Sequence, residues 1–306
     1  MLSERHKGHL SVILFTVLIS TSFPLGQYLT AELPPLVVTW TRFVLGALFF
    51  GGLILSRRSW QWPSASLLLR YAVLSLLVCF YFWSMFEALE QSDPVEVAAI
   101  YTLVPLFTAL IARVAGQHLK QRQWVMLLVG LLAAVWIIVG GSVDRLLTLR
   151  IDDGSLIYLW GCMAFAANPV LVQSSLKEQP ILSATFWLLL FAALWLSPFI
   201  PMYLDTAVLA EVSVGVIWGV LYMGLAVTAL TFMLFHYASV RLKSAQVMAY
   251  SYLVPVMVML MAVVAGQPLV LSILPAVGII LAVVVVMLKS PEDVIPATEE
   301  GLPKAG

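Results

Sequence analysis

Charge is what this sequence has least of. Of its 306 residues, 10% are Asp, Glu, Lys or Arg, 62% are hydrophobic, and the formal net charge is zero. Soluble domains carry about a quarter charged residues, so a soluble globular fold is excluded. No basic run offers a surface to nucleic acid. Cysteine is almost missing. Cys79 and Cys162 both lie inside apolar runs and read as small core residues, not as a disulfide or a metal pair. The four histidines are scattered and acids within the apolar runs are few. Nothing therefore assembles the nucleophile, acid–base or metal-ligand cluster of an enzyme, and no cofactor or metal is expected. No Gly-Lys pair occurs, which removes the phosphate loop of an ATP-driven pump. No segment alternates with the period of a membrane barrel, and no filter or ring of charges marks a channel.

What is present is apolar length. A span needs roughly 20 apolar residues to cross hydrocarbon. Ten such runs are read, at about 9–30, 35–56, 68–90, 94–115, 123–141, 155–176, 181–203, 213–238, 244–265 and 268–289. Helices are required, because backbone in lipid must satisfy its own hydrogen bonds. The first run has no small-residue cleavage site and reads as a retained helix. With the N-terminus inside, thirteen Lys and Arg face inward and only Arg145 and Arg150 face outward, while Arg42 falls within a span. This positive-inside bias puts both termini in the cytoplasm. The tail 290–306 is polar and Pro-rich and is expected to be disordered.

One segment occurs twice. Residues 103–119 and 253–269 agree at ten of seventeen positions without a gap, including Leu103–Val104–Pro105 with Leu253–Val254–Pro255 and Ala115–Gly116–Gln117 with Ala265–Gly266–Gln267. An offset of 145 sets Pro24 over Pro169 and Pro35 over Pro180. The fold expected is all-α integral membrane, two five-helix repeats at 9–141 and 155–289. Five is odd, so the second repeat is inverted, an architecture of secondary transporters that supplies two nearly equivalent packings about a central site.

These halves, with "SFPLGQYL" in the first helix, "TRFVLGALF" in the second, "EALEQSDPVEVAAIYTLVPLFTALIA" and its echo "HYASVRLKSAQVMAYSYLVPVMVMLMA", resemble the drug/metabolite transporter superfamily in its EamA-like ten-helix group. The family's Arg-Phe pair is matched by Arg42–Phe43 and its mid-helix prolines by Pro105 and Pro255. The stretch "LISTSFP" departs from the family's usual Trp-Gly. The resemblance implies an inner-membrane exporter of small metabolites, often amino acids.

Arg42 is the most informative residue. A charge within a span costs about 2.5–3.5 kcal/mol on insertion scales. It reads either as a structural pin or as the anchor of a substrate carboxylate, with Glu87 and Glu96 as candidate partners. Pro24, Pro105, Pro169 and Pro255 are kinks or hinges that free carbonyls within the spans. Tyr81, Trp83, Tyr101, Trp160 and Tyr252, together with Trp218, Tyr222 and Tyr250, are candidate cavity aromatics or core residues. Ser20, Thr21, Ser22, Gln27, Asn168, Thr228 and Thr231 are their polar companions. His236 either snorkels or takes part in a proton relay; His6, His9 and His118 read as terminal or loop residues.

The function expected is secondary transport of a small amphipathic metabolite, most plausibly an amino acid, by alternating access. The alternative is a lipid or polyprenyl-phosphate carrier of similar fold. Expected partners are a small-molecule substrate and the lipid bilayer, with proton or exchange coupling and homodimerisation left open. Cysteines introduced beside Gln91 should react with an impermeant thiol reagent on intact cells, and those beside Lys120 or Arg241 should not; labelling beside Lys120 overturns this topology.

Overall fold

The computed structural model describes residues 4–288 except Ser59, Asp93, His118, 148–152, 204–211 and 269–270; Arg150 and the expected disordered tail lie outside the described residues. Ten helical spans form among them. Span 1 is Glu4–Ser20 with Ser22–Thr30, span 2 Pro35–Ser56, span 3 Ala65–Gln91, span 4 Pro94–Tyr101 with Val104–Val114, and span 5 Gln121–Ile138. Span 6 is Asp153–Ala166 with Asn168–Ser175, and span 7 is Ile181–Leu196 extended by a 3₁₀ segment Ser197–Met202. Span 8 runs from Val214 to Ser239, span 9 from Ser244 to Val264, and span 10 is Leu274–Leu288. Seven of the helices are long and apolar enough to cross a membrane, and spans 4, 5 and 10 are shorter apolar helices.

The packing follows a two-fold rule. Span 3 packs on span 6 as span 8 packs on span 1; span 7 packs on span 3 as span 2 packs on span 8. Spans 2 and 7, 5 and 10, and 4 and 9 meet their own equivalents. The first part of span 4 contacts the last part of span 9, and the last part of span 4 contacts the first of span 9. Equivalent helices therefore run antiparallel, and the repeats are inverted. Phe82 and Phe232, separated by the 150-residue repeat, stack on each other at 6.2 Å and 27°, and Phe43 contacts both rings.

The duplicated "AGQ" has a geometric reason. Gly116 (φ +83°) and Gly266 (φ +97°) end spans 4 and 9 in the left-handed region. The N–H of Gln117 bonds Ala112 O and that of Gly116 bonds Arg113 O; Gln267 to Ala262 and Gly266 to Val263 repeat the pattern. This is a Schellman cap, which needs glycine at the positive φ and satisfies the last carbonyls. Spans 1 and 6 register at 146, not at the expected 145: their interruptions fall at Thr21 and Ala167, and Pro34 and Pro180 cap the helices that follow. That register places Gln27 over Gln173, and Arg42 over Leu188.

Small residues allow the closest approaches, as expected where lipid gives no hydrophobic drive between helices. A Cβ on Gly154 would lie 3.1 Å from Ala88 Cα, and one on Gly161 3.2 Å from Tyr81 Cα while overlapping Ser84 Oγ. Gly161→Val should lower the thermal midpoint in detergent, a loss of about 1–3 kcal/mol typical of overpacking. Gly52→Val, where a Cβ meets nothing within 4 Å, should leave it unchanged; equal shifts in both would show that spans 3 and 6 are not in tight contact.

Candidate functional site

Four spans are interrupted, two in each repeat. Spans 1, 4, 6 and 9 break at Thr21, at Thr102–Leu103, at Ala167 and at the 3₁₀ turn Tyr250–Tyr252. Each break lies two to five residues before Pro24, Pro105, Pro169 or Pro255. Proline cannot donate to the carbonyl four residues back and its ring crowds it, so the helix opens there. The four prolines are thus kinks in the structure. The buried Thr108 hydroxyl closes part of one gap by donating to Ala166 O at 2.9 Å.

Each break carries one buried polar atom that makes no hydrogen bond of good geometry among the described residues: Ser22 Oγ, Tyr101 OH, Asn168 Nδ2 and Ser251 Oγ, the Tyr101 and Ser251 side chains lying close enough to interact with each other. Tyr101 and Ser251 are equivalents at the 150-residue offset. Ser20, expected in this group, donates its hydroxyl to Thr16 O at 2.7 Å within its own helix. Its neighbour Ser22 holds the unpartnered position.

Arg42 lies on span 2, seven residues or roughly 10 Å from the helix start. It is fully buried. Its Nε donates to Thr228 Oγ1 at 2.7 Å, and its guanidinium carbon lies 4.0 Å from the Phe82 ring centre and 5.5 Å from that of Phe86. Neither Nη has a hydrogen-bond partner among the described residues. The expected pairing with Glu87 or Glu96 is not made.

Span 8 shapes the seat of this guanidinium. Tyr222–Ala229 is a π-helical stretch, and Thr228 donates to Met223 O, five residues back, at 2.7 Å. The same hydroxyl oxygen accepts from Arg42. Widened turns of this kind recur at functional sites. Span 2 reaches it closely because Gly46 and Gly224 face the opposite helix: a Cβ on Gly46 would lie 3.7 Å from Gly224 O, and one on Gly224 2.6 Å from Leu45 Cβ.

The rings beside Arg42 form a continuous buried set. Tyr81 stacks on Phe165 at 4.3 Å, and Tyr158 donates to the Tyr81 hydroxyl at 3.2 Å. Tyr101 contacts Tyr81, Phe165 and Phe23. Tyr81 and Tyr101 were expected here. Phe82, Phe86, Tyr158 and Phe165 were not, although the recurrence of Phe82 as Phe232 was a readable signal.

Other expected residues lie elsewhere. Trp160 is 58% exposed, on the face of span 6 turned away from Tyr158 and Cys162. Trp83 is half-buried against Phe80. Tyr252 is buried but turns to span 5, donating to Leu127 O at 2.7 Å with its ring over Gly130. Trp218 and Tyr222 are exposed, and Tyr250 pairs with His9 Nδ1 at 2.8 Å. His9 is therefore a buried residue of span 1, not a terminal one. His236 is buried beside the backbone of Leu176, so it does not snorkel. In each case helical phase decides: one residue of slip turns a side chain by about 100°.

An inverted-repeat bundle with broken helices and unpartnered polar groups at the breaks defines the class of membrane transporter. The EamA-like transporter family matches residues 6–139 and again 153–289, and the chain belongs to that family. It is 26% identical over 216 residues to an uncharacterized transporter, YyaM, of Bacillus subtilis (strain 168), covering 70% of this chain and 71% of that protein. One solved crystal structure superposes with a TM-score of 0.71 at 18% identity, over 94% of this chain and 98% of that one.

A hydrogen bond to a charged group is worth about 1.5–3 kcal/mol. Thr228→Val should therefore lower the thermal midpoint in detergent, and Thr228→Ser should restore it. An unchanged midpoint in Thr228→Val would show that Arg42 does not depend on span 8.

Proposed function

We propose that this transporter carries a small amphipathic metabolite, an amino acid, out of the cell across the inner membrane by alternating access. The observation that carries the proposal is Arg42. A guanidinium has five N–H donors; here one is used and the four on the two Nη atoms face no acceptor. A desolvated cation–π contact contributes on the order of 2 kcal/mol, whereas each unsatisfied buried donor costs about 1–3 kcal/mol. The rings alone do not offset the deficit. A carboxylate accepting from both Nη atoms does, in the bidentate geometry that arginine favours.

Substrate polarity follows from the surroundings. Phe82, Phe86, Tyr81 and Phe165 supply apolar surface, and Ser22, Tyr101, Asn168 and Ser251 supply a few polar atoms, the usual make-up of a small-molecule pocket. With one buried cation in the set, a monoanionic or zwitterionic ligand fits better than a polyanion. The face bearing the N-terminus is assigned to the cytoplasm by its Lys and Arg. Coupling is by exchange or by protons, and His236 is one of the buried histidines available for the latter.

Counterflow into proteoliposomes against a panel of amino acids, purines and sugars tests the reading, with uptake expected for amino acids. Arg42→Lys should keep the fold but lower flux by tenfold or more, because an ammonium lacks the planar fork. Normal flux in Arg42→Lys removes the carboxylate anchor, and uptake of sugars or purines alone removes the substrate assignment.

A further inference from the structure

The two Schellman caps place Gln117 and Gln267 identically at the ends of spans 4 and 9, yet their surroundings differ. Gln117 Nε2 donates to Gln173 Oε1 at 2.6 Å and to Ser244 Oγ at 3.4 Å. Ser244 in turn donates to Gln173 Oε1 at 3.4 Å. Gln173 Nε2 donates to Leu242 O at 3.1 Å and Ser239 O at 3.4 Å. This network ties together the ends of spans 4, 6 and 8 and the start of span 9 on the face that carries the N-terminus, here the near face.

The two-fold rule maps the amides and carbonyls of this network onto the far face; Ser244 falls on Pro94 and has no hydroxyl counterpart. Gln117 maps to Gln267 and the carbonyls of Ser239 and Leu242 to those of Leu89 and Ser92, at 150 residues. Gln173 maps to Gln27 at 146, the register set by the helix boundaries. Gln27 and Gln267 are exposed, and their side chains make no hydrogen bond among the described residues. The backbone shows the same difference. The last segments of spans 4 and 6 pack together on the near face, whereas the equivalent segments of spans 1 and 9 on the far face are not packed to a comparable extent. Far-face ties do exist elsewhere. Trp136 Nε1 donates to Ser272 O at 3.1 Å and Ser272 Oγ to Gly140 O at 3.2 Å, joining spans 5 and 10, and Trp40 Nε1 donates to Ser197 Oγ at 3.0 Å, joining spans 2 and 7. Beside Gln27, Glu32 accepts from Ser213 N at 2.8 Å and Ser213 Oγ at 2.9 Å. This last tie joins span 1 to span 8, a pair packed along its other end as well, and none of the three bridges spans 1 and 9.

We propose that Gln117–Gln173 and Gln27–Gln267 are the two positions of one alternating amide lock. In this structure the near-face lock is closed and the far-face lock is open. In the opposite state the near-face bonds break, spans 1 and 9 close, and Gln27 and Gln267 bond each other and the carbonyls of Leu89 and Ser92. Neutral amides suit the task. Each neutral bond biases a population about five-fold, enough to hold a gate and little enough to release it. Matched chemistry at both ends keeps the two states close in energy, whereas a buried ion pair at one end would trap it.

The lock rests on the alternating-access reading above but not on the substrate, so it is tested without one. Spin labels on cysteines at Ala31 and Val264 report the far face, and labels at Arg113 and Ser174 report the near face; all four sites are exposed, and Cys79 and Cys162 are buried. In the reconstituted protein, Gln117→Ala with Gln173→Ala should lengthen the near distance and shorten the far one, changing the ratio of states by at least about five-fold. Gln27→Ala with Gln267→Ala should leave resting distances unchanged and, added to the first pair, should reverse much of its shift. A near face that opens while the far distance stays fixed overturns the lock, as does a full shift persisting in the fourfold variant. A second measurement does not need the near-face variants to fold. Gln27→Cys with Gln267→Cys, joined by a short bis-maleimide, should open the near face; no cross-link, or a cross-link with the near distance unchanged, overturns the proposal. Loss of amino-acid counterflow with intact distance coupling refutes the substrate and leaves the lock standing.

Discussion

Hydrocarbon offers a polar group no partner, and this constraint organises the molecule. Most hydroxyls within the spans meet it locally: Thr16, Ser20, Thr39, Thr41 and Thr185 each donate to the carbonyl four residues back. Helical geometry makes that bond available to any Ser or Thr, at the cost of a slight bend. Set against this economy, the buried atoms of Arg42, Ser22, Tyr101, Asn168 and Ser251 that make no hydrogen bond of good geometry among the described residues stand apart. Four of these residues sit where proline has opened a helix. Unsatisfied buried groups in a native fold mark a place that something else completes.

Symmetry and its violation divide the labour. The inverted repeat supplies the frame: equivalent helices meet, Phe82 stacks on Phe232, and two identical caps end spans 4 and 9. The chemistry around Arg42 is not duplicated. Arg42 corresponds to Leu188, and the π-helical stretch of span 8 that receives it corresponds to ordinary helix in span 3. A symmetric frame about a one-sided site suits the alternating access proposed above.

Much of the frame was legible in the chain itself. Ten apolar runs between charges and prolines became ten spans, because length and hydropathy alone decide what can cross a bilayer. The gapless "LVP" and "AGQ" recurrence exposed the repeat, and its glycines turned out to be required by positive φ. Arg42 was legible as costly, and Tyr81 and Tyr101 as members of a buried cluster. Less was legible where apolar residues are interchangeable. The register of spans 1 and 6 was read one residue off from the prolines, and Trp83, Trp160 and Tyr252, read as cavity or core residues, lie outside the ring set beside Arg42.

The sequence by itself determined the number of spans, their interruptions and the inverted repeat, since these depend on composition, proline and glycine along one dimension. Only the tertiary structure decided which polar atoms lack partners, that Thr228 and not an acid meets Arg42, and that Gln117 finds Gln173 while Gln27 and Gln267 stay apart. Such facts depend on which helix faces converge, and in a chain that is 62% hydrophobic nearly every face is apolar, so the pattern carries no signal that distinguishes lipid-facing from protein-facing sides.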